Sequence, residues 1–98
     1  LIQRIHSLLP RSVILKNDPN YMQGIPDLVV FNGDRYAMLE VKTGPKAPHQ
    51  PNQDYYVEWF DSQGVFSAFV YPENEEEILD AMERSLQPSR KARVHRSK

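Results

Sequence analysis

Two apolar runs, residues 27–31 (DLVVF) and 35–42 (RYAMLEVK), flank the tripeptide Asn32-Gly33-Asp34. Asn and Asp tolerate the left-handed backbone and Gly adopts it freely, so this spacing predicts a tight β-hairpin. The second run alternates. Ala37, Leu39 and Val41 take one face, and Tyr36, Met38, Glu40 and Lys42 take the other. The first run is apolar on both faces, as a central strand would be. A two-residue turn centred on Asn32-Gly33 pairs Asp27 with Met38, and one centred on Gly33-Asp34 pairs it with Glu40. Both centrings put Asp27 on the face of Glu40 and Lys42, whereas a three-residue turn reverses the parity.

The rest of the chain arranges itself around this hairpin. Leu1, Ile2, Ile5, Leu8 and Leu9 recur at helical spacing until Pro10. Residues 12–16 (SVILK) read as a short strand, and 17–26 as a loop of Asn, Asp, Pro and Gly. Residues 43–51 hold three prolines and form a second loop. Asn52 is placed to cap a helix that carries Tyr56, Trp59, Phe60 and Gln63 and ends at Gly64, with Trp59 and Phe60 expected to fill the core. Residues 65–71 (VFSAFVY) form a strand. Asn74 precedes three glutamates and an apolar face of Ile78, Leu79, Met82 and Leu86. The expected order is α-β-β-β-α-β-α, an α/β fold.

Ninety-eight residues suffice for one core, so residues 1–87 are expected to form a single domain. Cysteine is absent, which removes disulfides, thiolate nucleophiles and zinc–thiolate sites. No apolar stretch approaches the roughly 20 residues a membrane-spanning helix needs. Arg4 and His6 interrupt the start where a secretory signal would be apolar, so the expected location is cytoplasmic. The net charge of −1 conceals an asymmetry. Residues 88–98 hold five of the twelve basic residues and no acid, leaving residues 1–87 at −6. Arg90, Lys91, Arg93 and Arg96 are thus candidate contacts to an anionic partner such as a phosphate backbone, on a tail expected to be disordered. Lys46 and His49, in the loop after residue 42, are further candidate phosphate contacts.

Glu40 and Lys42 lie about 7 Å apart along one face of a strand. With Asp27 at the same end, two carboxylates and an ammonium converge. Neighbouring carboxylates repel unless a proton or cation lies between them. Oxygen donors in this number suit Mg²⁺, with Mn²⁺ as a substitute, and the backbone carbonyl of Val41 is a further candidate ligand. A lysine beside such a site can stabilise charge on a phosphate oxygen or help activate water. An ordinary solvent-facing Glu–Lys pair would explain residues 40–42 alone, but not Pro26-Asp27 at matching parity.

The words Gly24-Ile25-Pro26-Asp27-Leu28-Val29-Val30 and Leu39-Glu40-Val41-Lys42-Thr43, followed by Gln53 opening a helix that ends at Gly64, resemble the PD-(D/E)XK nuclease superfamily, and within it the VRR-NUC group of small viral and bacterial members. The resemblance covers residues 1–86. It implies a restriction-endonuclease-like αβββαβ core, a mixed central sheet flanked by helices. It implies a metal-dependent endonuclease acting on branched DNA such as Holliday junctions, as a homodimer, in a bacterial or phage-infected cell. Asp27 and Glu40 would be the metal-binding acids, Lys42 the catalytic lysine, and Gln53 the polar residue supporting the site. Tyr21, Met22, Tyr55, Tyr56, Trp59 and Phe60 are candidates for a dimer interface. The family usually adds a Glu on the first helix. Residues 1–9 contain no acid, so that Glu either lies upstream, which is the expectation because Leu1 is not a Met, or is absent, with weaker metal binding. The alternative is a non-catalytic nucleic-acid-binding or assembly module that keeps the fold.

Overall fold

The computed structural model describes residues 1–18 and 20–87. The elements follow the expected order: α1 (Ile2–Leu8), β1 (Val13–Lys16), β2 (Leu28–Asn32), β3 (Arg35–Val41), α2 (Gln53–Ser62), β4 (Phe66–Val70) and α3 (Glu75–Ser85). The strands form one sheet in the order β1-β2-β3-β4. The first three are antiparallel, and β4 runs parallel to β3 through the α2 crossover. The molecule is therefore an α/β fold with a four-stranded mixed sheet and three helices. None of the described helices is long and apolar enough to cross a membrane.

The hairpin register decides the parity question. Asn32 pairs with Arg35 and Leu28 with Leu39, so the two-residue turn is centred on Gly33-Asp34, with Gly33 at φ 64°. Continuing that register sets Asp27 opposite Glu40. Leu28, Val30, Ala37, Leu39 and Val70 share one face and form the core with Ile5 and Leu9 of the α1 end and Leu79, Met82 and Leu86 of the α3 end. Burying several such side chains at about 1.5–3 kcal/mol each is what holds α1 and α3 to this face.

The opposite face is only half covered. α2 packs on β3 and β4 through its inward residues Val57 and Phe60. Over β1 and β2 the face keeps Val13 and Leu15 more than half exposed, with Phe31 and Tyr36 beside them in tilted ring contact. Trp59, expected in the core, is instead 45% exposed. Its position explains this: Val57 and Phe60 take the inward stripe, and Trp59 stands one flank round with Tyr55, one helical turn earlier.

Local details also depart from expectation. β1 begins at Val13; Ser12 is buried at the corner after α1, its N–H bonded to the Leu9 carbonyl. Asn52 and Asn74 occupy the N-cap positions but make no side-chain cap bond. Asn74 instead accepts from the Tyr71 N–H and donates to the Phe69 carbonyl, tying the β4 end to α3.

Candidate metal and phosphodiester site

Three segments meet at one end of the sheet: the residues entering β2, the end of β3, and the start of α2. Each is held there by identifiable contacts. Asn17 anchors the β2 entry: its N–H donates to the Asp27 carbonyl at 2.8 Å and its Nδ2 to the Pro26 carbonyl at 2.6 Å. Gly24 brings the same loop against α2. A Cβ at position 24 would lie 2.5 Å from the Asn52 Cβ and 2.8 Å from the Pro51 carbonyl oxygen, and Gly24 has φ 90°. Only glycine fits there, because it alone has neither the Cβ nor the strain.

Pro26 also has a visible function. The Lys42 N–H bonds to Val70 on the β4 side, so the Val41 peptide groups, one residue earlier, point to the β2 side. There the register sets Pro26, which has no N–H to give the Val41 carbonyl. The Val41 N–H goes instead to Asp27 Oδ2 at 2.9 Å. Pro-Asp thus ends the ladder, orients a carboxylate and keeps Pro26 from using the Val41 carbonyl.

Glu40 lies at 2% exposure beneath the start of α2. Its Oε2 accepts from Gln53 Nε2 at 3.0 Å, while no donor is in hydrogen-bond geometry with the buried Oε1, leaving a shared proton as its link to Asp27. Burial, reinforced by the charge and hydrogen bond of Asp27 and opposed by Lys42, pushes the Glu40 carboxyl up to about 8. Lys42 Nζ donates to Gln53 Oε1 and, at 3.0 Å, to the Pro48 carbonyl. Gln53 Oε1 also accepts from the Gln50 N–H at 2.8 Å. Gln53 therefore bridges acid and lysine: its amide donates to Glu40 and its carbonyl accepts from Lys42.

The four residues expected from the motifs, Asp27, Glu40, Lys42 and Gln53, are thus brought together. Lys46 is exposed in the loop above them. His49 is turned onto the protein, its ring stacked on Phe69 and its Nδ1 2.7 Å from Asp54. Arg90, Lys91, Arg93 and Arg96 lie outside the described residues.

The donor set fits a hard divalent cation in kind. A buried, unpartnered carboxylate oxygen beside a second carboxylate is a place where positive charge relieves both repulsion and desolvation. It is a lean set: among the described residues no group of three or more His, Asp or Glu is placed to hold a metal. An open cleft of about 540 Å³ runs past Asp27, and α1 contributes Gln3 to it rather than an acid. Lys16 and Asn17 line the same cleft. Neither stood out in the sequence, although Lys16 closes an apolar strand just before a polar loop.

Comparison with known proteins finds no matching family model, no matching curated protein and no matching solved structure.

Proposed function

We propose that this chain is a Mg²⁺-dependent endonuclease that hydrolyses phosphodiester bonds in DNA, built on a PD-(D/E)XK-type site and selective for branched substrates. The observation that carries the reading is the buried Glu40 carboxylate, with one orphaned oxygen, set beside Asp27 and joined through Gln53 to Lys42. A purely structural core seldom keeps such a group, because a buried carboxyl with an unsatisfied oxygen is costly whether or not it holds its proton.

In this reading Asp27 and Glu40, with the Val41 carbonyl, would hold a Mg²⁺ ion, or Mn²⁺ in its place. The ion would supply Lewis acidity and charge neutralisation. Asp27, held by the Val41 N–H at one oxygen, lines the cleft. Lys42, fixed by Gln53 and the Pro48 carbonyl, places a positive charge where negative charge builds on the phosphate. Gln53 orients Lys42 and Glu40. Lys16, at the lip of the cleft, is suited to a neighbouring phosphate. A DNA substrate would place the activity in the cytoplasm of a bacterial or phage-infected cell.

We further propose a homodimer, whose two sites would make paired cuts on a symmetric junction. Its support is the half-covered sheet face bearing Val13, Leu15, Phe31 and Tyr36. None of these residues is charged, so the face suits a protein surface rather than a phosphate backbone.

The test is incubation with four-way junction, flap and linear duplex DNA, in Mg²⁺ or EDTA. Metal-dependent cleavage that is lost in Asp27→Ala and Lys42→Ala supports the reading; undiminished cleavage by either variant overturns the site. One observation favours a second reading, a non-catalytic nucleic-acid-binding module: the lean donor set, with Gln3 where an acid would complete it. Junction binding without cleavage in either metal would select that alternative.

A further inference from the structure

His49 lies outside the four residues used above, yet the loop is fastened on either side of it. The Pro48 carbonyl accepts from Lys42, and the Gln50 N–H donates to Gln53. Its imidazole stacks on Phe69 with ring centroids 4.3 Å apart and planes 22° apart. Phe69 is the ladder partner of Glu40, so the ring stands one strand over from the carboxylate, on the same face. Nδ1 meets Asp54 Oδ1 at 2.7 Å. An ionised carboxylate can only accept, so Nδ1 carries the proton in this contact and Nε2 is the nitrogen left for other chemistry. The side chain keeps 34% exposure, so part of the imidazole is accessible. A histidine merely solvated in a proline-rich loop would need none of these restraints.

We infer that His49, oriented by Asp54, donates the proton taken up by the departing sugar oxygen during phosphodiester cleavage. This inference rests on the nuclease reading. The water oxygen bonds to phosphorus and the bond from phosphorus to the leaving oxygen breaks. The electron pair of that bond stays on the leaving oxygen, which takes a proton from Nε2 of the imidazolium. The attacking water releases a proton to solvent, and the imidazole regains one, so ester and water become phosphate monoester and alcohol. Other described groups at the site are committed elsewhere. Lys42 gives two of its three donors to Gln53 and Pro48, Asp27 accepts from Val41, and Glu40 is a candidate ligand. Histidine is the side-chain type suited to proton exchange near neutral pH. The charged and titratable groups around it are Asp54 on α2, Glu40 and Lys42 on β3, and Lys46 on its own loop; β4 contributes the uncharged Phe69.

The experiment is single-turnover cleavage of a four-way junction in Mg²⁺ by the full chain and by His49→Gln and Asp54→Asn. Each protein is given substrates with oxygen or sulfur at the bridging leaving position. A thiolate departs without a proton, so the sulfur substrate bypasses a general acid. His49→Gln should cut the oxygen substrate about a hundredfold more slowly than wild type. It should cut the sulfur substrate at the wild-type rate. Asp54→Asn should show a smaller loss with the same sulfur rescue. Equal slowing of both substrates, or no slowing, overturns the proton-donor role while leaving the nuclease reading intact. Absence of any wild-type cleavage sinks the nuclease reading, and this inference with it.

Discussion

Glu40 resists ionisation because burial removes water from its carboxylate and Asp27 adds a like charge nearby. The consequence for stability has a definite sign. A folded-state value of about 8 against 4.5 for the free group means that the native state holds a proton the unfolded chain releases. This contribution is fully present below pH 4.5, declines as pH rises toward 8, and is gone above it. Glu40→Gln mimics the protonated form. Metal-free urea denaturation should therefore show the wild type losing up to a few kcal/mol relative to Glu40→Gln between pH 5 and 8. Parallel pH profiles would contradict the burial argument. A cation takes over the proton's role, so Mg²⁺ binding near pH 7 should release protons and raise the melting temperature. Calorimetry in buffers of different ionisation enthalpy would detect the release, which should vanish in Glu40→Gln and in Asp27→Asn.

Among the elements, what matters is how α2 is fastened to β3 and to the loop entering β2. Gly24→Ala would push a methyl group into Asn52 and the Pro51 carbonyl at a backbone angle that L-residues disfavour. It should destabilise by about 1–3 kcal/mol and weaken metal binding as well, because the same contact positions Asp27 against Gln53. Thermal melts and metal titration of one sample would separate the two effects. Gln53→Ala removes the donor to Glu40 and the acceptor for Lys42 together. A cost of about 1–3 kcal/mol is expected for the polar groups it leaves unpaired. That cost should shrink in a Glu40→Gln background at high pH, where no buried charge remains to be stranded. A double-mutant cycle by urea denaturation measures the coupling.

For the whole molecule, the distribution of charge and apolar surface sets the expected partners. Leu15→Glu places a charge on the half-covered face without touching the core. Light scattering should show the wild type as a dimer and this variant as a monomer with unchanged far-UV circular dichroism. A monomeric wild type at high concentration would exclude the dimer. Residues 1–87 are net acidic and residues 88–98 carry five positive charges, so the tail is expected to supply much of the nonspecific attraction for DNA. Removing residues 88–98 should reduce the slope of log affinity against log salt by about 4.5 if all five charges contact duplex phosphates. An unchanged slope would place the phosphate contacts on the sheet end instead.

The order of elements, the hairpin and the shared face of Asp27, Glu40 and Lys42 were legible in the sequence, because strand parity and turn chemistry are local properties. One alternating run and a two-residue turn put these side chains on one face whichever way that turn is centred, and the register then excludes the three-residue turn that would have reversed them. Other features needed the third dimension. The fit of Gly24 against Asn52 joins loops separately placed in the chain, and the hold of Asn17 on Pro26 and Asp27 and the Asp54–His49 pair depend on how each loop closes on its neighbours. No short-range pattern encodes them. Trp59 shows the same limit: helical spacing gives its flank, but whether that flank meets core or solvent depends on how much of the sheet α2 covers. Likewise, the two carboxylates could be read from the chain, but the burial that leaves Glu40 with an unsatisfied oxygen could not. That burial comes from packing α2 over β3 and β4, and packing is a property of the assembled fold.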